Sequence, residues 1–152
     1  MDSSLFQYCQ KIVVFNESAD SVLLAKRKGE ADFDGVYSFI GGKMEVTDGG
    51  FIPGLQREKD EEIGKSASLD IYPYASYNEY YTKKNGQAMV LPHYYALYRG
   101  GDIVINEEYS DFAWVKLTEL DNFEPKIDTI PPMVANMLKL QQIAEPSKFV
   151  RI

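Results

Sequence analysis

Cysteine is nearly missing from this chain. Cys9 stands alone among 152 residues, which excludes an intrachain disulfide and a cysteine-based zinc site. Long apolar runs are missing as well, since none approaches the ~20 residues needed to cross a bilayer. The opening Met1-Asp2-Ser3-Ser4-Leu5 has no cationic stretch and no long apolar one, so a secretory signal is not expected. Basic residues are outnumbered, 16 against 23 acidic, giving a net charge of −7 and a pI near 4.7. That balance argues against a nucleic-acid or membrane surface, because both reward clustered Lys and Arg. It leaves room for a phosphate-bearing small ligand if a divalent cation bridges the two. Repeats, low-complexity tracts and linkers are absent too. The expectation is one cytoplasmic domain over 1–152, with 45% hydrophobic and 26% charged residues making an ordinary globular core and surface.

What is present reads as a mixed α/β domain. Lys11 to Phe15 and Ser21 to Ala25 are short β-favouring runs around the turn-like Asn16 to Asp20. Val36 to Ile40 predicts a further strand that ends in a Gly41-Gly42 bend. Pro53 to Ile63 predicts a helix, with Pro in its first turn and Gly64 at the position after its end. Two aromatic stretches follow, Leu69 to Thr82 and Ala88 to Tyr98, joined through Asn85-Gly86, a tight-hairpin signal. Asp102 to Asn106 and Phe112 to Leu117 predict strands. Pro131-Pro132 opens a last helix, in which Met133, Met137, Leu140 and Ile143 fall near helical spacing.

The segment Arg57-Glu58-Lys59-Asp60-Glu61-Glu62-Ile63-Gly64 carries most of the information. On a helix, Glu58, Glu61 and Glu62 stand at i, i+3 and i+4, so their carboxylates share a face. Like charges at that spacing cost about 0.2–0.5 kcal/mol per pair. They also crowd the helix C-terminus, where the dipole disfavours anions. Taken alone, such a pattern is most often a solvated acidic face. Bound Mg²⁺ or Mn²⁺ reverses the sign, because hard cations want clustered carboxylate oxygens. Upstream, the Gly-Gly pair of Ser38-Phe39-Ile40-Gly41-Gly42-Lys43 lets backbone approach a ligand closely and offers a free carbonyl.

Together these residues resemble the Nudix (MutT-like) hydrolases, whose box reads Gly-x5-Glu-x7-Arg-Glu-U-x-Glu-Glu-x-Gly-U, with U bulky and apolar. Gly42, Arg57, Glu58, Glu61, Glu62 and Gly64 match, and Phe112 to Leu120 looks like the family's C-terminal strand and turn. The resemblance implies an α/β/α sandwich with a mixed, curved sheet. It implies metal held by Gly42, Glu58, Glu61 and Glu62, with Arg57 holding a carboxylate of the cluster in place. Glu58 or Glu108 would take the proton of the attacking water. The implied activity is Mg²⁺-dependent cleavage of a nucleoside diphosphate linked to another moiety. The partner is then a nucleotide diphosphate, with a homodimer left open. Two alternatives stand beside it: pyrophosphohydrolysis of damaged nucleoside triphosphates, and a catalytically silent domain that senses a nucleotide.

The chain departs from the box in several places. Asp48 falls on the box glutamate and leaves one residue too many before Arg57, unless Gly49 fills that slot. Lys59 and Lys65 replace apolar residues, and Ile40 stands where proline often precedes Gly-Gly. If Lys59 merely faces solvent beside the cluster, Lys59→Leu should leave turnover within a few-fold. Elsewhere, a Cys9–His93 pair has no flanking motif, and Lys26-Arg27-Lys28 reads equally as a phosphate-steering or a merely solvated patch. The tyrosines of 72–81 and 94–98 read chiefly as strand residues with one wet end.

Overall fold

The computed structural model describes residues 5–152, which build an eight-stranded mixed sheet covered on both faces. Strand β1 (Gln7–Phe15) lies at its centre, flanked by β2 (Ser21–Arg27), β4 (Ile40–Lys43) and, in parallel, β6 (Ala88–Tyr98). Strand β5 (Leu69–Thr82) pairs antiparallel with β6, and β8 (Val150–Arg151) closes that edge. On the other side, β3 (Tyr37–Ser38) and β7 (Tyr109–Lys116) both pair with β2. Helix α1 (Phe51–Ile63) packs Leu55 and Ile63 on one face against Ile12, Val14 and Ile71. Helix α2 (Ile130–Ile143) packs Met133, Val134, Met137 and Leu140 on the other, against Val13, Phe15 and Tyr95. Alternation along β1 therefore feeds two cores, as a sheet covered on both faces requires.

Three expectations change. The predicted Val36–Ile40 strand is split, and Gly41-Gly42 is not a bend after it but part of β4, paired with Lys11 and Gln10 of β1. Only glycine fits there: Gly41 has φ +124, and a Cβ on it would meet the Gln10 carbonyl oxygen at 2.1 Å. Asp102–Asn106 is an irregular segment rather than a strand; it drapes over α1, with the Val104 amide donating to the Ile63 carbonyl at 3.0 Å. Strand β8 has no counterpart in the sequence reading. Among the described residues, no helix is long and apolar enough to cross a membrane.

Candidate active site

Helix α1 sets its acidic residues at the edge of the sheet, over β4. Glu58 and Glu62 are buried, at 6% and 3% exposure, whereas Glu61 keeps more than half of its side chain in solvent. Glu58 lies so close over Gly42 that a Cβ there would stand 2.3 Å from its Oε2. Glu62 accepts from the Gly41 amide and, at 2.9 Å, from the Tyr109 hydroxyl. Burial pushes the Glu62 carboxyl up to about 8, although Lys11, Gly41 and Tyr109 all pull it down. Burial likewise raises Glu58, against the charge of Arg57.

Arg57 ties the cluster together. Its Nε donates to Asp48 Oδ1 at 2.5 Å and its Nη2 to Asp48 Oδ2 at 3.0 Å, a bidentate pair. Its Nη1 reaches Glu58 at 2.9 Å and Glu61 at 3.2 Å, and its Nη2 also donates to the Lys43 carbonyl. The guanidinium holds Asp48 down at about 2. Asp48, rather than Gly49, thus occupies the slot beside Arg57. Gly54 makes room for it, since a Cβ there would meet Asp48 Oδ2 at 3.1 Å and Gln10 Oε1 at 2.8 Å.

These groups open into a cavity of about 500 Å³ that also receives Glu45, Glu108, Lys11 and Arg27. Glu108 stands just before β7, its amide bonded to Asn106 Oδ1 at 3.0 Å. One wall is the 28–36 loop, held over the cavity by the Tyr81 hydroxyl donating to buried Asp32 at 2.6 Å. Phe33, with φ +60, rests there against Tyr81, their ring centroids 5.4 Å apart. Of the basic triplet, Arg27 lines the cavity; its Nη2 pairs with Glu30 at 3.3 Å and its Nε is buried without a partner. Every residue expected to serve the site therefore lies around one space. Among the described residues, however, no three His, Cys, Asp or Glu side chains already form a metal cage.

Other expectations fare differently. Cys9 and His93 do line the same cavity. Burial raises the thiol, against thiolate formation, and presses His93 down to about 4, which leaves a neutral ring too weakly basic to take the thiol proton. Lys59 does not face solvent: it is 2% exposed, and its Nζ donates to the Ala67 carbonyl at 2.8 Å and the Gly64 carbonyl at 3.4 Å. Its stem fills the apolar slot and its ammonium fastens the turn after α1. Tyr109, Lys11 and Asp32 escaped the sequence reading. Tyr109 directly follows Glu108, which is the one local hint it offered.

The NUDIX domain family model matches residues 7–137. The nucleoside triphosphatase NudI of Escherichia coli is 30% identical over 112 residues, 65% of this chain and 77% of that protein. A MutT protein from Methanosarcina mazei superposes with a TM-score of 0.72 at 19% identity, covering 90% of this chain and 96% of its own. An Ap4A hydrolase from C. elegans, solved as a binary complex, gives 0.71 at 15% identity, covering 90% and 98%. At such identities the structural likeness speaks for the fold.

Proposed function

Because this chain belongs to the Nudix family and is a Nudix pyrophosphohydrolase, we propose that it cleaves the diphosphate linkage of a nucleoside diphosphate joined to another moiety, with Mg²⁺ or Mn²⁺ held by Gly42, Glu58, Glu61 and Glu62. The observation that carries the reading is the pressing of the Glu58 and Glu62 carboxylates onto the bare backbone of Gly41 and Gly42. Two buried carboxylates on one helix face are costly unless a cation joins them. The donor set is all oxygen, which suits a hard divalent ion. When bound there, such an ion offsets phosphate charge and makes water a stronger acid.

The chain's own residues supply the rest. Arg57 fixes the rotamers of Asp48, Glu58 and Glu61, so that little reorganisation remains when substrate arrives. Tyr109 and the Gly41 amide orient Glu62. Glu108 or Glu58 takes the proton of the attacking water, and both border the cavity. A second reading, pyrophosphohydrolysis of nucleoside triphosphates, draws support from the 30% identity to a nucleoside triphosphatase.

The test is a panel of nucleotide diphosphate derivatives and triphosphates, incubated with Mg²⁺ and again with excess chelator. Cleavage should vanish with chelator. Glu62→Gln should lower turnover by about 10²–10³-fold without loss of folding stability, since an amide of nearly the same shape replaces a carboxyl whose charged form burial disfavours. Equal cleavage in chelator, or wild-type turnover in Glu62→Gln, would overturn the reading. Tight nucleotide binding with no cleavage would leave a silent sensor instead.

A further inference from the structure

From the carboxylates the cavity extends along the α2 face of the sheet, with Lys11 at its start, where its charge still reaches Glu62, and Glu79 further along. Lys11 of β1 is aligned with His93 of β6, and Leu91 of β6 with Glu79 of β5. Aligned residues point to the same face and every second residue returns to it, so Lys11, His93, Leu91 and Glu79 share one face. All four line the cavity.

Lys11 is only 8% exposed, and its Nζ donates a single bond, to the Gly41 carbonyl at 3.3 Å. No carboxylate oxygen lies within 4.0 Å of it among the described residues. An ammonium has three donors, so two are left for whatever enters the cavity. A buried cation in that state is costly without an acceptor. Glu79, half-buried, takes only a 3.4 Å bond from the Thr129 hydroxyl. The two residues stand two strands apart, roughly 10 Å across the sheet. The Lys11 ammonium leans on Gly41 of β4, on the far side of β1, which leaves room for one planar ring between it and the Glu79 carboxylate. The walls between them are flat and uncharged: Phe39, Leu91 and Ile130, with His93 kept neutral by burial and set edge-on to Phe39 at 5.7 Å.

Resting on the hydrolase reading above, we propose that Lys11 and Glu79 select guanine as the base of the nucleotide substrate. Guanine offers O6 to the ammonium and two adjacent donors, N1–H and the 2-amino group, to a single carboxylate. The other bases match less well. Adenine and cytosine place a ring-nitrogen lone pair beside their amino group, and uracil flanks its one N–H with carbonyls, so each sets an acceptor against Glu79.

Titration calorimetry with GMP, AMP, CMP and UMP in chelator separates binding from turnover. GMP should bind about tenfold or more tightly than the other three, the discrimination expected of a good bidentate contact with its partner donor. Lys11→Met keeps the stem and removes the ammonium; Glu79→Gln removes the anion from a half-buried site. Each should bring GMP within about threefold of AMP, and Lys11→Arg should restore the preference. If Lys11→Met does not fold, Glu79→Gln decides alone. Equal binding of all four by the wild type, or a GMP preference that survives Glu79→Gln, overturns the proposal. A GMP preference in a protein that cleaves no nucleotide would sink the hydrolase reading and leave this pair standing. Cleavage with no base preference would do the reverse.

Discussion

Lys59 and Lys11 are both withdrawn from water, at 2% and 8% exposure, yet their surroundings have little in common. The Lys59 ammonium meets two carbonyls and, at 2.6 Å, the Asp60 carboxylate, so its three donors are all engaged. The Lys11 ammonium has one long bond and a cavity in front of it. The first closes the turn after α1 and belongs to the architecture. The second leaves donors directed at an external acceptor. Burial of a charge therefore does not mark a binding group; the hydrogen bonds it leaves unmade do.

Substitution should expose that difference most at Lys59. Lys59→Met orphans the Gly64 and Ala67 carbonyls and strips Asp60 of its partner, at a cost of about 4 kcal/mol. Thermal unfolding should then fall by about 10 °C for a chain of this size. Turnover measured well below the transition should stay within a few-fold of wild type. A melting temperature unchanged by Lys59→Met would return this lysine to the solvated role its sequence position first implied.

His93, beside Lys11 on the sheet, gives the next effect. Its folded pKa of about 4 lies below the ordinary 6.5, because burial disfavours the charged ring. The unfolded chain thus binds more protons between these values, and stability rises with pH across them. The contribution of the neutral ring is complete above pH 6.5 and lost as pH falls toward 4. Glu62, raised to about 8, acts oppositely over part of this range, so the informative quantity is a difference. Wild type minus His93→Phe should change by about 3 kcal/mol between pH 7 and pH 4 in denaturant titrations. A flat difference would show that the ring is not buried neutral.

The smallest effect on folding belongs to Lys11→Met. With one weak bond lost and an unpaired ammonium removed, stability should stay within about 1 kcal/mol of wild type or rise. A loss as large as that of Lys59→Met would mean that the two lysines do the same work.

Much of this molecule was legible from neighbours along the chain. The bounds of β5 and β6 agree with the aromatic stretches read from the sequence, because a long β-favouring run with an Asn-Gly joint carries its own pairing instruction. The carboxylates of α1 were legible because helical spacing turns a sequence interval into a shared face. Asp102–Asn106 misled because alternating apolar residues there serve a different end: Ile103 and Ile105 pack against the apolar cluster that holds Leu55 and Ile63 of α1, and among the described residues no strand pairs with them.

The sequence by itself determined the helix, its acidic face, the Gly-Gly approach beside it and the family they belong to, since all of these depend on groups within a few turns of one another. Only the tertiary structure decided that Lys59 is fully bonded while Lys11 keeps donors to spare, that Asp48 answers Arg57 across the loop, and that Tyr109 grips Glu62. It also decided that Lys11 and Glu79, 68 positions apart in the chain, line one cavity. The physical reason is that hydrogen-bond satisfaction and burial are properties of the pairs a fold brings together. In a mixed sheet with a parallel β1–β6 contact, those pairs come from strands distant in sequence.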